Sequence, residues 1–430
     1  MSDLSLDVVV IGAGAAGLMA AIRAAERGRR TLVLEKNRKP GVKILMSGGT
    51  RCNITQATDN RGIVAAYGPS GKFLHSALAA FSVQQTIDFF EAEGVATKIE
   101  ETGKIFPVSN KAGDVLHALL RRMQRSGAVL ALGEPVTEIS PLSPSVPQGN
   151  GESGFMLSTP LRVLNANKVI LTTGGQSYPG SGTTGDGYRF AARFGHRVVP
   201  PRPALVPLTT NAPWVADLRG ITLADVAVRI LDQEKTLARR RGSLLFAHFG
   251  LSGPVILDVS RAVSAHFLPF DSGERAAGQP ASLLLEVDFL PALSDQTLSD
   301  WLRDESLASG KKQLALVLAQ QVPRRLCETL LEQAGLAKDR KAAALPRDER
   351  QRLVRAVKHL HIPLTGTLGF NKAEVTAGGV ALDEIDSRSM QSKLVPNLYF
   401  AGEILDLDGP IGGYNFQSAW STGWLAGGAV

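Results

Sequence analysis

A glycine-rich turn between two apolar strands near the start of the chain constrains the fold more than any other feature. The run Leu6–Ile11 is apolar and rich in β-branched residues, which is typical of a buried strand. The turn Gly12–Gly17 follows, and then a helical pattern over Leu18–Arg27. A second predicted strand, Thr31–Leu34, runs into Glu35. Strand, turn, helix, strand and acid in this order and spacing predict a dinucleotide-binding α/β fold.

Each position of the turn has a physical role in holding a dinucleotide. Gly12 permits the tight turn, Gly14 leaves room for a pyrophosphate against the backbone, and Gly17 lets the helix pack closely on the sheet. The pyrophosphate lies at the helix N-terminus, where free N–H groups and the helix dipole favour anions. Glu35 can accept hydrogen bonds from the ribose hydroxyls, and its charge disfavours the 2′-phosphate of NADP.

The C-terminal part of the chain indicates FAD rather than NAD. A predicted strand from Leu398 runs into Gly402 and Glu403, and the glycine-rich segment Gly412–Gln417 precedes a helical pattern over Ser418–Ala426. In two-part FAD folds, a late strand of this type brings an acid to the ribityl chain. The next helix N-terminus faces the flavin, where its N–H groups stabilise negative charge on the reduced ring. A domain that binds only NAD has no use for this second segment.

Seven blocks of sequence, in order along nearly the whole chain, carry a family resemblance. They are VVVIGAGAAGLMAA from Val8, KILMSGGTRCNIT from Lys43, GKIFPVSNKA from Gly103, LTTGGQSYPGSGTTGDGY from Leu171, LLFAHFGLSGPVILDVSR from Leu244, AEVTAGGV from Ala373 and LYFAGEILDLDGPIGGYNFQSAW from Leu398. The sequence resembles the bacterial FAD flavoproteins that include aminoacetone-oxidase-like and BaiN-like oxidoreductases. The resemblance implies an FAD domain interrupted by an inserted substrate-side domain, with redox chemistry at the flavin. Related flavoproteins often carry Asp where this chain has Glu403, whose side chain is one methylene longer.

The predicted fold class is α/β, with a two-part Rossmann-like FAD-binding domain interrupted by an insert that has an antiparallel β part and a helical part. Residues 1–199 are the first part of the FAD domain, and residues 363–430 are its return segment. Residues 200–290 are a β-rich insert, because short strands alternate there with turns. Residues 291–362 are a helical subdomain, because Leu, Ala, Arg and Lys recur at helical spacing.

Several segments outside the first turn are predicted to contact non-covalently bound FAD. The glycine loop Lys43–Asn53 offers successive backbone N–H groups. A predicted strand over Gly133–Ile139 places the backbone of Val136 against the adenine, as in similar FAD folds. A third strand, Lys168–Thr173, leads into a pair of glycines. The predicted cofactor-binding residues are Gly12, Gly14, Ala15, Ala16, Gly17, Glu35, Lys36, Lys43, Ser47, Gly48, Arg51, Cys52, Asn53, Val136, Thr173, Gly174, Gly175, Gly402, Glu403, Gly412, Gly413, Tyr414, Asn415 and Phe416.

Three side chains are candidate proton donors to a substrate. His248 lies in the most loop-like glycine motif of the insert and can act as a general acid, with a structural histidine at a strand end as the alternative. The phenols of Tyr178 and Tyr414 can also donate a proton, with packing or cofactor contact as their alternative. Asp186 and the neighbouring Thr183 and Thr184 can cap the helix that follows, with a cofactor role as the alternative.

The leading functional hypothesis is an FAD-dependent oxidoreductase that acts on a small organic substrate. One subclass is a reductase of an activated C=C bond that takes electrons from NADH or NADPH as a transient donor. The other is an oxidase or dehydrogenase of an amine. An RNA-modifying flavoprotein and a non-catalytic FAD-stabilised binding protein are the alternatives from other classes.

Net charge and cysteine content bear on whether the protein has a nucleic-acid site or a metal site. The net charge is +7, from 47 basic and 40 acidic residues. The basic clusters Arg239–Arg241 and Lys338–Lys358 lack interleaved aromatic residues, so they are interpreted as solvated faces rather than a nucleic-acid site. The two cysteines, Cys52 and Cys327, show no metal-ligand spacing, so no metal is expected. Cys52 is interpreted as a packed rather than a redox-active residue.

No membrane insertion or signal peptide is predicted, and the expected location is the cytoplasm. The N-terminal residues Met1–Asp7 lack a basic region before the apolar run. The apolar run Val8–Ala25 contains Arg23 and the glycine turn, which favour strand, turn and helix over a spanning segment. The polar stretch Ser140–Ser153 is predicted to be an exposed loop.

Overall fold

The computed structural model describes residues 6–142, 154–267 and 283–430. Most of the predicted loop Ser140–Ser153 and most of the segment Met1–Asp7 therefore lie outside the described residues. The chain forms two compact units. One unit, called here the discontinuous unit, comprises Met1–Pro201 and Val375–Val430, and the other, called the insert unit, comprises Arg202–Glu374.

Strands and helices alternate through the first part of the chain, and strands and then helices dominate the middle. The strands in the described residues are β1 Leu6–Ile11, β2 Thr31–Glu35, β3 Thr55–Gln56, β4 Thr97–Ile99, β5 Lys104–Pro107, β6 Val129–Leu132, β7 Glu138–Pro141, β8 Phe155–Ser158, β9 Val163–Leu171, β10 Val198–Ala204, β11 Leu208–Thr209, β12 Thr222–Asp232, β13 Lys235–Ala247, β14 Gly250–Ser252, β15 Leu283–Asp288, β16 Leu360–Leu364, β17 Gly366–Thr367, β18 Val375–Val380 and β19 Leu398–Phe400. The α-helices there are α1 Ala15–Glu26, α2 Val42–Thr50, α3 Asn60–Ala66, α4 His75–Ala80, α5 Val83–Ala92, α6 Ala112–Ser126, α7 Asp186–Arg193, α8 Pro213–Asp217, α9 Pro254–His266, α10 Asp295–Ala308, α11 Leu314–Leu318, α12 Arg324–Gln333, α13 Arg347–Lys358 and α14 Tyr414–Ala429.

The discontinuous unit is built on a sheet with the order β6-β2-β1-β9-β8-β7. The first four of these strands are parallel to one another, and β19 joins as a parallel neighbour of β9. Strand β9 is long enough to pair with β8 through residues 163–166 and with β19 through residues 169–171. The carboxyl ends of β1, β2, β9 and β19 therefore meet at one edge of the sheet, where open α/β folds bind their ligands.

Small residues join α1 to α14 in the discontinuous unit. A Cβ atom on Gly423 would lie 2.3 Å from the carbonyl oxygen of Ala16, and one on Gly427 would lie 2.3 Å from that of Ala20. The two helix backbones can approach this closely only because these positions carry no side chain. The last helix of the chain is thereby held against the helix that follows the glycine turn.

The insert unit is an antiparallel sheet packed against helices. Its strand order is β16-β15-β12-β13-β14-β11-β17. Along β12, Val226, Val228 and Ile230 are buried at the spacing of two that places side chains on one face of a strand. They share one apolar core with residues of helices α9 to α13.

The predicted boundaries inside the insert differ from the structure in two respects. The β-rich part and the helical part share that single core and form one unit. The chain also re-enters the discontinuous unit at Val375 rather than at residue 363. The reason is that β16 and β17 pair with β15 and β11 in the antiparallel sheet, which keeps residues 360–367 in the insert.

The strand predicted over Gly133–Ile139 is wrong. The strand in this region is β6, Val129–Leu132, and residues 133–137 have no regular structure. The chain leaves the strand at Gly133, whose φ of 68° lies in the left-handed region. Val136 therefore lies in an irregular segment, although the N–H groups of Gly133 and Glu134 still donate to carbonyl oxygens at the end of β2, those of Asn37 and Glu35.

The segment Lys43–Asn53, predicted to be a loop, begins as a helix. Helix α2 spans Val42–Thr50, and its geometry breaks from Ser47 onward. The apolar residues before the break favour helix, whereas Gly48 and Gly49 have φ values of 56° and 67° that end it. No helix in the described part of the chain is long and apolar enough to cross a membrane.

Candidate functional site

The glycine turn after β1 contains two kinds of glycine. A Cβ on Gly17 would lie 1.9 Å from the carbonyl oxygen of Gly12, and one on Gly12 would lie 2.7 Å from that of Thr172. A Cβ on Gly14 would meet no atom within 4 Å. Gly12 and Gly17 are therefore required by the packing of the protein itself, whereas the space beside Gly14 is open to a ligand.

The N-terminus of α1 is a ready anion site. Gly14 is its N-cap residue, no side chain caps the helix, and its first turn holds no acidic residue. The N–H groups of this turn consequently point into open space with the positive end of the helix dipole behind them. This arrangement suits a pyrophosphate.

Glu35 holds the glycine turn in place from the end of β2. Its buried carboxylate accepts the N–H of Ala13 at 2.7 Å and the N–H of Asn37 at 2.8 Å. Each oxygen retains a further lone pair that can accept a ribose hydroxyl. The residue therefore has a structural role in addition to the one expected from the sequence.

The segment before α7 folds against the end of β2. Lys36 donates to Asp186 and to Thr184, each at 2.6 Å, so its charge is already paired. The capping role expected for Asp186, Thr183 and Thr184 is wrong, because the N-cap residue of α7 is Gly185 and no side chain caps the helix. Asp186 lies in the first turn, where a carboxylate interacts favourably with the helix dipole. The ion pair with Lys36, although opposed by partial burial, holds the pKa of Asp186 below its usual range.

Four residues with positive φ lie close together in the sequence at the break in α2. Gly48, Gly49, Thr50 and Cys52 all have φ between 56° and 69°. A Cβ on Gly49 would meet open space, whereas one on Gly48 would lie 2.9 Å from the ring of Phe106. The segment therefore presents exposed N–H groups on one side and packs on the other, which is the geometry of an anion-binding turn.

Side chains after the break differ in what they offer a cofactor. Arg51 forms an ion pair with Glu100 at 2.6 Å, and its guanidinium carbon lies 4.0 Å from the ring centroid of Phe106. Its charge is therefore already paired within the protein. Cys52 is fully buried, and burial raises the pKa of its thiol to about 12, which favours the packed interpretation over the redox-active one. The side-chain oxygen of Asn53 is buried and has no hydrogen-bond partner among the described residues.

A polar network surrounds Glu403, just beyond the end of β19. Lys43 donates to one carboxylate oxygen at 2.5 Å, and Ser177 donates to the other at 2.8 Å. The backbone N–H of Thr376 donates to that second oxygen, also at 2.8 Å. The network joins segments that are up to 360 positions apart, at the same sheet edge as the glycine turn.

The glycine pair after β9 lies beside this network. A Cβ on Gly175 would lie 2.4 Å from Oγ1 of Thr376 and 3.2 Å from the phenol oxygen of Tyr188, so only glycine fits there. The Oγ1 atom of Thr173 and the phenol of Tyr188 are buried without a partner among the described residues. Burial and the charges of Glu403 and Asp406 raise the pKa of Tyr188, which keeps the phenol protonated.

The start of α14 is another helix N-terminus in the unit that no side chain caps. Gly413 is its N-cap residue. A Cβ on Gly413 would lie 2.6 Å from the backbone of Thr55, so this glycine is required by packing. Asn415 exchanges two hydrogen bonds with the backbone of Gly409, and Phe416 stacks on Trp420. The side chains of Asn415 and Phe416 are thus occupied within the protein, which leaves backbone N–H groups as the groups available to a ligand.

Gly402 and Ala16 are both predicted cofactor contacts, and they lie against each other in the structure. A Cβ on Gly402 would lie 2.7 Å from the Cβ of Ala16. The N–H of Gly402 donates to Thr422 of α14 at 3.0 Å. These two residues fix the position of Glu403 relative to the glycine turn.

The candidate proton donors are divided between the two units. Tyr178 and Tyr414 lie in the discontinuous unit, and Tyr178 is 38% exposed with a left-handed φ of 54°. A non-glycine residue in that conformation is strained, and such strain is common at functional loops. His248 lies in the insert unit, exposed in the two-residue turn between β13 and β14, and its ring contacts Phe249 edge-on.

Sequence reasoning missed Thr376, Ser177 and Tyr188. Thr376 orders the glycine loop, because its hydroxyl accepts the N–H groups of Gln176 and Ser177 at 2.8 and 2.9 Å. No spacing in the sequence points to these residues. Thr376 and Ser177 act through partners far along the chain, and Tyr188 is identified only by its burial. The described residues contain no group of His, Cys, Asp or Glu side chains that could hold a metal ion.

Comparison with known proteins places the chain among flavoproteins. The sequence model described as the HI0933-like protein Rossmann domain matches residues 6–429. The Escherichia coli (strain K12) protein named ribosomal RNA dihydrouridine synthase is 34% identical over 97% of this chain and 96% of its own length. The Haemophilus influenzae protein of the same name is 32% identical over the same shares. The 3-dehydro-bile acid delta(4,6)-reductase of Clostridium scindens is 30% identical over 98% of both chains.

A solved structure shares the fold. The 3-ketosteroid-delta4-(5alpha)-dehydrogenase of Rhodococcus jostii RHA1 superposes with a TM-score of 0.51 over 99% of this chain and 97% of its own, at 15% identity. The predicted α/β class, with a Rossmann-like sheet and an antiparallel insert, is confirmed.

Proposed function

Because the chain belongs to the HI0933-like family and is an FAD-dependent oxidoreductase, we propose that it reduces a C=C bond conjugated to a carbonyl group, in the uracil base of ribosomal RNA. The resemblance to BaiN-like flavoproteins inferred from the sequence blocks is confirmed, and so is FAD as the cofactor. The reaction and its substrate are the new part of the proposal.

One observation carries the reaction type. Three relatives that match nearly the full length of this chain are named for the addition of hydrogen across such a bond. Dihydrouridine is uridine with two hydrogens added across C5=C6, which is conjugated to the C4 carbonyl. The name of the bile-acid enzyme likewise describes double bonds conjugated to a 3-oxo group. This shared chemistry supports the ene-reductase hypothesis over the amine-oxidase hypothesis.

The site geometry fits FAD. The open space beside Gly14 and the uncapped N-terminus of α1 suit the pyrophosphate. The unpartnered buried oxygens of Asn53 and Thr173 are acceptors and donors that a polar ligand would satisfy. We propose that Glu35 binds the ribose and that Glu403, held by Lys43, binds the ribityl chain.

The remaining predicted contacts are proposed to act mainly through the backbone. The break after Ser47 and the starts of α1 and α14 all present N–H groups, which can stabilise negative charge that develops on a reduced ring. Lys36 and Arg51 are proposed to line the cofactor site without pairing with the charge of FAD, because their own charges are already paired within the protein.

The reduction needs a hydride and a proton. FAD supplies hydride transfer when bound, and NADH or NADPH is the proposed source of the electron pair. The hydride goes to the β carbon of the conjugated system, C6 of uracil, and the α carbon, C5, takes a proton from an acid. His248, Tyr178 and Tyr414 are the proposed donors of that proton.

Ribosomal RNA is favoured over a small 3-oxo substrate by the higher identity of the two dihydrouridine synthases and by the net charge of +7. A surplus of basic residues attracts a polyanion more strongly than it attracts the single carboxylate of a bile acid. Reduction of a small 3-oxo substrate is the second candidate.

The test combines flavin spectroscopy with analysis of the RNA. Purified holoprotein is titrated anaerobically with NADH and with NADPH while absorbance near about 450 nm, where oxidised flavin absorbs, is recorded. Ribosomal RNA without dihydrouridine is then added, and nucleosides are measured by mass spectrometry. We expect bleaching, reoxidation on addition of RNA, and a gain of two hydrogens in uridine. Reduction of a 3-oxo-4,6-diene steroid with no change in the RNA would instead establish the second candidate.

The proton donor has its own test. We expect His248→Ala to lower the rate of dihydrouridine formation by about 100-fold or more, the usual contribution of a general acid, while flavin reduction by the nicotinamide is unchanged. Tyr178→Phe and Tyr414→Phe are the parallel variants. An unchanged rate in His248→Ala would return that histidine to a structural role.

A further inference from the structure

A groove of about 370 Å³ opens between α1 and α14 of the discontinuous unit. Its lining includes Arg23 of α1, Ala80 of α4, Arg388, and Trp424 and Leu425 of α14. Arg23 follows Ala15 by eight positions, so it lies roughly 12 Å along α1 from the proposed pyrophosphate site. The groove is therefore separate from the FAD contacts described above.

Arg23 is oriented toward this groove and is only weakly neutralised. Its guanidinium carbon lies 4.8 Å from the ring centroid of Trp424, which in turn stacks on Phe81. Its Nε atom is buried and has no hydrogen-bond partner among the described residues. Its acidic partner in the described part of the chain, Glu26, is 3.8 Å away and pairs more closely with Arg122, at 2.6 Å.

Arg388 supplies a second positive charge. Its side chain is exposed and makes no ion pair or hydrogen bond with any described residue. The nearby carboxylate of Asp386 accepts the backbone N–H of Arg388 and the hydroxyl of Ser389, each at 3.0 Å. The groove thus combines two available guanidinium groups with an aromatic floor.

We propose that this groove binds a phosphate group of the RNA substrate, with an adjacent base stacked on the guanidinium plane of Arg23. The RNA identity of the ligand rests on the proposed function. Arginine is the preferred partner of phosphate because its fork of N–H donors binds two oxygens at once. Unstacked RNA bases also stack on arginine and aromatic side chains. The groove places an aromatic side chain beside its basic side chains. The basic clusters Arg239–Arg241 and Lys338–Lys358 lack interleaved aromatic residues.

The groove lies away from the proposed FAD contacts, so we expect it to position the RNA rather than take part in the reaction. A phosphate contact outside the reaction centre carries no sequence information but fixes the register of the RNA. Arg23 and Arg388 are therefore positioning residues, and their loss weakens RNA binding and raises KM without changing the chemical step.

Binding is measured with FAD-loaded protein and a fluorescently labelled single-stranded oligouridine, by anisotropy at several KCl concentrations. For Arg23→Gln/Arg388→Gln we expect Kd to rise about tenfold at low salt. The slope of log Kd against log salt should fall by about 0.7, because one phosphate contact to a single strand contributes about that much. Arg388→Gln alone should also raise Kd. This single variant controls for a folding effect, because the Arg388 side chain makes no ion pair or hydrogen bond with a described residue that could be lost.

The matched control removes two arginines from another surface. Arg347 and Arg355 of α13 are exposed and form no ion pair with any described residue. Arg347→Gln/Arg355→Gln should leave Kd within about twofold of the wild-type value, as expected if those charges contact no phosphate. An equal loss of affinity in both double variants would overturn the proposal, because the groove would then be one basic surface among several. Displacement of the oligouridine by inorganic phosphate at constant ionic strength, abolished in Arg23→Gln/Arg388→Gln, would identify a free-phosphate site and overturn the RNA assignment.

Activity separates this proposal from the proposed function. Wild-type protein that forms dihydrouridine, with variants of unchanged KM for ribosomal RNA, would refute the groove and leave the function standing. Variants that lose RNA affinity while even the wild type forms no dihydrouridine would refute the reaction and support the groove.

Discussion

Three glycines of one turn, Gly12, Gly14 and Gly17, serve different purposes, and only the structure separates them. Cβ atoms on Gly12 and Gly17 would collide with backbone atoms of the protein, whereas one on Gly14 would occupy open space. Gly14 also has a negative φ of −84° that any residue can adopt. A side chain at Gly14 is therefore compatible with folding and incompatible with a ligand at that position.

We expect Gly14→Val to fold normally and to bind no FAD, because its side chain fills the proposed pyrophosphate space. The measurement is the ratio of flavin absorbance to protein absorbance, together with thermal unfolding by circular dichroism. Gly17→Val is the contrasting variant and should fail to fold, since its Cβ would lie 1.9 Å from a carbonyl oxygen. Stoichiometric FAD in purified Gly14→Val would refute the proposed site.

His196 shows how a buried polar group links stability to pH. Its Nδ1 lies 3.1 Å from Glu384 and its Nε2 lies 2.7 Å from Ser392, whose Oγ also accepts two backbone N–H groups. Ser392 therefore donates its own proton to Nε2, and the ring is neutral with its hydrogen on Nδ1. Burial lowers the pKa of His196 below 6.5, although Glu384 opposes the shift.

The sign of the resulting pH dependence follows from that lowered pKa. Below about pH 6.5 the unfolded chain takes up a proton at this histidine that the folded protein resists, so the stabilisation present at neutral pH is lost as the pH falls. We expect the Tm of the wild type to drop between pH 7.5 and pH 5.5 by more than that of His196→Gln. The exposed His75→Gln is the control and should behave like the wild type. Identical drops in all three proteins would contradict the assignment.

At the scale of elements, the contact of α1 with α14 ties the two ends of the chain together. Gly423 and Gly427 of α14 face the backbone of α1 at Ala16 and Ala20, and Gly428 does not. Because α1 begins at the glycine turn and α14 begins at Gly413, this contact determines the separation of the two uncapped helix N-termini proposed to hold FAD.

We expect Gly423→Val to destabilise the protein by about 2–3 kcal/mol, since a Cβ there would lie 2.3 Å from a carbonyl oxygen and the helices would have to separate. Gly428→Ala on the same helix is the matched control. Its Cβ would lie 3.9 Å from Arg23, an ordinary contact, and alanine favours helix by about 1 kcal/mol over glycine. Urea denaturation measures both variants. Equal denaturation midpoints for the two variants would show that the close approach of α14 to α1 does not contribute to stability.

At the scale of the whole molecule, each of the two units has its own apolar core. The insert unit is one continuous stretch, Arg202–Glu374, whereas the other unit needs both ends of the chain. A unit with a separate core and a continuous chain is expected to fold independently.

Residues 202–374 expressed alone should therefore give a cooperative thermal unfolding transition with both helix and strand in its circular dichroism spectrum. Residues 1–201 alone should not, because they lack β19 and α14. A segment ending at residue 362, the boundary predicted from the sequence, is the control. It lacks the end of β16, which pairs with β15, and all of β17, which pairs with β11, so it should unfold at a lower temperature. Equal stability of the two insert segments would refute the structural boundary.

Features that depend on neighbours along the chain could be predicted from the amino-acid sequence alone. The turn between β1 and α1, the acid at the end of β2 and the alternation of apolar residues in β12 are set by local φ/ψ preference and by side-chain period, so they could be predicted. The shared blocks added the FAD fold and the interrupted order of its parts.

Contacts between residues far apart in the chain became visible only in the folded structure. Lys43 meets Glu403 across 360 positions, Thr376 orders the loop before α7, and Gly423 is required because Ala16 lies opposite. The end of β6 at Gly133 and the return at Val375 were equally inaccessible, because each depends on which strand lies alongside. Such pairings depend on how the whole chain folds, and no local pattern encodes them.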